Sequence, residues 1–217
     1  MTVYEVPPAR LPRWLGRWRA EHPDVIATEV GEREVVFRAA SGARLDCAPA
    51  FPPLAREVRG ERPGFDPAPL LDHALRERTV GVALVRLGGC AVGVFTGPRL
   101  VRSKVDRRLV HGRHRAGGSS QRRFERRREG EARRALAAAA EVTARLLAPA
   151  AAAGELDAVV LGGDRRALAT VLADRRLRAV GALAVERVLE VPEPRLDVLR
   201  ATPERFTAAL LRPREPS

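Results

Sequence analysis

Thr79-Val80-Gly81-Val82-Ala83-Leu84-Val85-Arg86-Leu87-Gly88-Gly89-Cys90-Ala91-Val92-Gly93-Val94-Phe95 reads as two valine-rich runs folded about Gly88-Gly89. β-Branched residues bounded by a glycine pair are a hairpin signal. Residues 100–110 extend it by a third strand. The longest helical pattern follows, 119–148, with Pro149 expected to close it. Residues 156–161 are apolar except for Asp157, and Gly162-Gly163-Asp164 then opens a helix over 165–173. A further strand is expected near 181–189, and Thr202-Pro203-Glu204 caps a last helix over 204–211. Strand, tight turn, helix is the signature of an α/β layer.

From residue 79 onward the order is three strands, long helix, strand, helix, strand, helix. An antiparallel meander extended by parallel strands makes the expected class α/β (an α+β mixed sheet) of the ribonuclease-H-like type. Upstream, residues 25–30, 35–39 and 43–47 read as short strands. Residues 1–20 carry Trp14 and Trp18 four apart on one helix face, expected to dock on the core. Prolines 49, 52, 53, 63, 67 and 69 mark 48–69 as an irregular linker. A helix over 66–78, with Asp66 as cap and Pro67 behind it, sets Leu70, Leu71, Ala74 and Leu75 on one face. This divides the chain into a strand-containing segment, 1–64, and a second domain, 65–217.

The 217 residues carry a formal charge of +12. From 99 to 134 there are fourteen basic residues against four acids, a net of +10 in 36 residues, so the rest of the chain is close to neutral. Composition bias toward arginine explains why Lys104 is the only lysine; it does not explain the clustering. The cluster reads as a phosphate-binding surface. With 45% hydrophobic residues the chain can bury a core, which excludes wholesale disorder. Two cysteines make no disulfide scaffold. No apolar run approaches the ~20 residues of a membrane span, and prolines and arginines stand where a signal peptide would be apolar. The expectation is a cytoplasmic protein.

The cluster centres on Val110-His111-Gly112-Arg113-His114-Arg115-Ala116-Gly117-Gly118-Ser119-Ser120-Gln121-Arg122-Arg123-Phe124. A glycine pair lets backbone approach a substrate closely, and arginines on both sides can hold phosphates. Ester hydrolysis needs a placed water and oxyanion donors, and a titrating side chain is dispensable. The amide of Gln121 suits that work. By itself the loop also reads as a helix cap with Ser119 or Ser120 as capping residue. The helix behind it is divided. Ala135, Leu136, Ala139, Val142, Leu146 and Leu147 form a core-facing stripe, whereas 119–131 has Phe124 as its only apolar side chain and is expected to project and present arginines.

The run 117–121 followed by Arg122-Arg123-Phe124-Glu125-Arg126-Arg127-Arg128 resembles the central catalytic domain of eukaryotic and archaeal peptide release factors, in which a Gly-Gly-Gln loop precedes a long basic helix. It is more similar still to the release-factor-like peptidyl-tRNA hydrolases of ribosome quality control, including their actinobacterial branch, whose loop relaxes to Gly-x-x-Gln; Gly118-Ser119-Ser120-Gln121 fits this form. The resemblance takes in Ser103-Lys104-Val105, His111-Gly112-Arg113, the hairpin 82–94 and the strand-glycine-helix unit 159–167, and covers 79–190. It implies the release-factor central-domain fold and hydrolysis of peptidyl-tRNA; a chain too short for a full release factor, with no separate codon-reading domain evident, argues for codon-independent release on stalled or split large subunits. Gln121 would position water against the ester, and Gly117 and Gly118 would shape the loop. Lys104, Arg107, Arg108, Arg113, Arg115, Arg122, Arg123, Arg126, Arg127 and Arg128 would bind RNA. The implied partners are the ribosomal large subunit, its ribosomal RNA and the CCA end of peptidyl-tRNA. A monomer is expected, with no cofactor, no metal and no membrane. Two serines between Gly118 and Gln121 depart from Gly-Gly-Gln, which leaves loop geometry and amide methylation open.

Three other chemistries can be read. His111 and His114 are three apart, but Cys47, Cys90, His22 and His73 lack metal-ligand spacing to them. A nuclease needs clustered carboxylates, for which Asp106, Asp157 and Asp164 are available. Gly162-Gly163-Asp164 before a helix suits either phosphate or a plain turn; no G-x-x-x-x-G-K-[ST] is present. The serious competitor to hydrolysis is a ribosome- or tRNA-binding module that has no catalytic use for Gln121.

Overall fold

The computed structural model describes residues 2–107 and 120–216; for 120–128 it describes the backbone. In chain order the elements are β1 (Tyr4–Val6), α1 (Leu11–Glu21), β2 (Val25–Val30), β3 (Val35–Ala39), β4 (Arg44–Ala48), β5 (Gly60–Pro63) and α2 (Ala68–Leu75). Next come β6 (Thr79–Arg86), β7 (Gly89–Thr96), β8 (Arg99–Arg107), α3 (Ser120–Ala152), β9 (Ala158–Gly163), α4 (Arg165–Leu172), α5 (Arg178–Ala182), β10 (Ala184–Leu189) and α6 (Leu196–Arg200). The chain ends in α7 (Pro203–Phe206) and β11 (Ala209–Arg214).

Two compact units result, one from Met1–Glu77 with Pro203–Ser217 and one from Arg78–Thr202. The boundary expected at 64/65 falls inside the first, between β5 and α2. That unit is a six-stranded antiparallel sheet, β1-β11-β4-β3-β2-β5. α1 and α2 bury Leu11, Leu15, Trp18 and Leu70 against Phe37, Leu45 and Leu211 on one sheet face. Trp18 docks as expected. The linker expected over 48–69 is corrected: Gly60–Pro63 pairs with β2 as an edge strand, where Pro63 costs no interior ladder bond. The helix expected over 66–78 runs Ala68–Leu75 with Pro67, not Asp66, at the cap position; Asp66 sits one residue earlier and accepts the Ala68 N–H at 3.2 Å. Leu75, at the end of its apolar face, is 57% exposed because the helix ends there and Arg76 is already extended.

The C-terminal helix expected over 204–211 is corrected too. It stops at Phe206, and Ala209–Arg214 is a strand between β1 and β4. A short apolar run has no period that separates helix from strand. Pairing decides here, with Ala209 and Leu211 fully buried.

The second unit is a five-stranded mixed sheet, β10-β9-β6-β7-β8. β6, β7 and β8 are the antiparallel meander, and β9 and β10 extend it in parallel beside β6. Central β6 is buried from Val80 to Val85, the continuous apolar run of a strand covered on both faces. One face packs under α3 and α4, through Val85, Cys90, Val92, Ala139, Leu147 and Val171. Leu199 of α6 approaches the other face at Gly93. The hairpin turn is Leu87-Gly88, because Arg86 pairs with Gly89.

α3 runs 33 residues, about 50 Å. It continues through Pro149, where closure was expected: a proline removes a single N–H, that directed at the carbonyl four residues back, and burial of Leu147 and Ala150 holds the last turns. Gly154, at φ +70°, ends it. Its Glu129–Ala152 portion is long and apolar enough by composition to cross a membrane, which corrects the reading that no run approaches that length. The alanines that make it so are its contact with the sheet: Ala135, Ala139, Ala140, Ala144 and Ala150 are buried.

Asp164 caps α4 by accepting the Ala167 N–H at 2.8 Å. Asp164→Ala is expected to cost about 1 kcal/mol, read as a lower denaturant midpoint with an unchanged slope.

Candidate functional site

The basic cluster falls on two elements that pack together, β8 and α3. Among the described residues β8 is an edge strand, with β7 as its one sheet neighbour. Its register sets Arg102, Lys104 and Asp106 opposite Val94, Cys90's neighbour Val92, and Cys90 itself. Those β7 side chains lie in the core beneath α3, so Arg102 and Lys104 share the helix-bearing face. Ser103, Val105 and Arg107 alternate to the other face. The two candidate RNA contacts on this strand, Lys104 and Arg107, are both exposed and point to opposite sides. Arg102 meets Glu155 at 3.9 Å.

α3 begins at Ser120, so Gln121 lies in its first turn. The first four N–H groups of a helix have no intrahelical acceptor; the backbone N–H of Gln121 is one of them. Among the helix residues whose side chains are described, from Glu129 on, the first buried one is Ala135, about 22 Å from the helix start. Arg133 and Arg134 are exposed on the same helix. The sequence reading counted them in the cluster without naming them as contacts; each is seven residues beyond a named arginine, two helical turns along the same side. Gly117, Gly118, Arg108, Arg113 and Arg115 lie outside the described residues. So do His111 and His114, and so do the side chains of Gln121, Arg122, Arg123, Arg126, Arg127 and Arg128.

Ion pairs fix the far half of the helix. Arg176 donates to Glu141 at 2.5 Å and to Asp174 at 2.7 Å, and Arg145 donates to the other Glu141 oxygen at 3.2 Å. The hydrogen bonds from Arg176 hold the Asp174 carboxyl down to about 2, and that of Glu141 below its usual range. Both acids therefore stay charged far below neutral pH.

The acids weighed for a nuclease are not brought together. Asp157 precedes β9 and Asp164 follows it, about 20 Å apart along the strand. Asp157 is occupied by the Thr79 N–H, which it accepts at 2.7 Å. Asp106 is level with the end of β9 but three strand spacings away, about 14 Å. Among the described residues no three His, Cys, Asp or Glu side chains are grouped to hold a metal ion. Close packing accounts for both Gly162 and Gly163, and the Asp164 carboxylate already takes the Ala167 N–H at the start of α4. A Cβ on Gly162 would lie 2.7 Å from Leu84, and one on Gly163 2.1 Å from the Val85 carbonyl oxygen. The turn is a packing device.

Residues 78–212 match the model of the Actinobacteria/chloroflexi VLRF1 release factor family. The chain belongs to that family. It is thereby a release-factor-like protein of the actinobacterial branch, in a class that acts in translation termination or ribosome rescue. Among solved structures, the archaeal translation termination factor aRF1 is similar at a TM-score of 0.45 and 14% identity, over 91% of this chain and 61% of that one. A structure described as an archaeal protein is similar at a TM-score of 0.40 and 14% identity, over 79% and 51%. The chain thus spans less than two thirds of either. No curated protein matches its sequence.

Proposed function

We propose that the protein hydrolyses the ester of peptidyl-tRNA on stalled or split ribosomal large subunits, without reading a codon. The observation that carries this reading is the family match, whose span of 78–212 includes the positions of the 117–121 loop and of α3. In this proposal Gly117 and Gly118 shape the loop and Gln121 orients the attacking water. A backbone N–H at the start of a long helix supports the assignment: it faces developing negative charge with the positive end of the helix dipole. Lys104, Arg107, Arg108, Arg113, Arg115, Arg122, Arg123, Arg126, Arg127 and Arg128 bind ribosomal and transfer RNA, and Arg133 and Arg134 extend that surface.

The meander with two parallel strands supports a ribonuclease-H-like, release-factor central-domain fold for the second unit. Functionally, the catalytic part of 65–217 is the second unit, Arg78–Thr202, and 1–64 belongs to an accessory unit. The protein works as a cytoplasmic monomer.

The test is release of a labelled nascent chain from peptidyl-tRNA on isolated large subunits. Release with no messenger RNA present is expected; a protein that binds these subunits and releases nothing is the non-catalytic binding module. The RNA surface has its own test. Arg126→Ala, Arg127→Ala and Arg128→Ala together should weaken subunit binding at least tenfold and flatten its salt dependence by a slope of about 2–3, as expected for three lost phosphate contacts. An unchanged slope would mean that these arginines are only solvated.

A further inference from the structure

The first unit carries basic residues that this function does not use. Residues 6–20 hold four arginines and no acid. Arg19 is occupied, donating to the His22 carbonyl at 2.8 Å. Arg10, Arg13 and Arg17 are exposed, and among the described residues none has an acidic partner. Their spacing of three and four sets them on one side of α1, along about 10 Å of helix.

Two aromatic rings border this side. Trp14 is four residues from Arg10 and three from Arg17, within reach of both. It is half-buried, whereas Trp18 on the same helix is 4% exposed, inside the core and stacked on His22. Tyr4 of β1 is 43% exposed and meets Trp14 with ring centroids 5.7 Å apart. Packing accounts for Trp18 and for the inner side of Trp14. It does not account for two partly open rings beside three unpaired guanidinium groups.

We propose that this side of α1 binds an unpaired segment of RNA, with Arg10, Arg13 and Arg17 on successive phosphates and the Tyr4–Trp14 pair as a stacking platform for a base. Guanidinium groups and open aromatic faces together are the chemistry by which proteins hold single-stranded nucleic acid. A duplex offers phosphates but no free base face, and an anionic membrane or acidic protein offers negative charge without a row of phosphates and unstacked bases on one strand. The surface lies outside the residues that match the release-factor family, so it adds to that activity instead of restating it.

Binding of a fluorescein-labelled 20-nucleotide single-stranded RNA to the full chain tests this, in a background of Arg126→Ala, Arg127→Ala and Arg128→Ala so that α1 dominates the signal. Arg10→Gln, Arg13→Gln and Arg17→Gln together should weaken binding about tenfold or more and lower the salt slope by about 2. RNA should quench tryptophan fluorescence, and Trp14→Phe should remove the quench while Trp18 still emits. Tyr4→Ala should weaken binding about tenfold. The proposal fails if the background protein binds no RNA, or if the three glutamines leave affinity and slope unchanged. It fails equally if they abolish binding to phosphatidylserine vesicles or polyglutamate and spare RNA. None of these readouts involves release, so failure here leaves the hydrolysis reading standing, and loss of release leaves this one.

Discussion

Gln121→Ala is expected to abolish release of the nascent chain while leaving affinity for the large subunit unchanged. The change removes the side-chain amide and keeps the helix start, because alanine is the best helix former. The backbone N–H at position 121 also survives. Loss of one well-placed donor in an acyl-transfer site lowers turnover by about 10²–10³. Loss of the group that orients the nucleophile adds to this, since orientation supplies much of the advantage of a bound over a free reactant. Turnover should therefore fall at least a hundredfold with no change in half-saturation. Equal release rates for Gln121→Ala and wild type would end the catalytic assignment. Equal loss of binding and release would make Gln121 an RNA contact.

Gly163→Ala is expected to be the most destabilising of the small substitutions. Gly163 has φ +104°, and an added Cβ would lie 2.1 Å from the Val85 carbonyl oxygen. That carbonyl also accepts the Asp164 N–H at 2.9 Å, so it cannot move without releasing the turn into α4. Strain and clash together should cost about 3–5 kcal/mol, which a thermal melt of the purified variant would show as a midpoint lower by about 10 °C. Gly130→Ala should act in the opposite sense. A Cβ there meets nothing within 4 Å, inside α3, and the substitution should stabilise by about 0.5–1 kcal/mol. Equal effects at the two positions would show that helix propensity, and not the Val85 contact, governs glycine in this fold.

Where side-chain pattern and local turn chemistry agreed, the sequence was a good guide. The strands at Val25–Val30 and Val35–Ala39 have the expected bounds, and the meander and both parallel strands follow from valine-rich runs punctuated by glycine. The errors arose where partners distant in sequence decide. Gly60–Pro63 looks like linker because nothing local says that β2 has an open edge. Ala209–Arg214 looks helical because its slot is created by β4 and β1, more than 160 and more than 200 positions earlier. Pro149 misled because its penalty is local and small beside the burial of the turns around it. The site was legible as charge: fourteen basic residues in one stretch marked β8 and the start of α3. That Lys104 and Arg107 face opposite sides was implicit in strand alternation, but required the register against β7. The arginines of α1 were obscured by averaging, since the chain outside 99–134 is nearly neutral in sum.

The slot that β11 fills also dictates an order of events during synthesis. β11 lies between β1 and β4, so until it leaves the ribosome β1 has no neighbour and one side of β4 is bare. The whole of Arg78–Thr202 is made in that interval. The unit carrying the Gln121 loop can therefore be complete on the nascent chain while the first sheet still waits for its last strand. Domains that emerge whole fold as units; here the nested unit finishes before the one that encloses it in sequence.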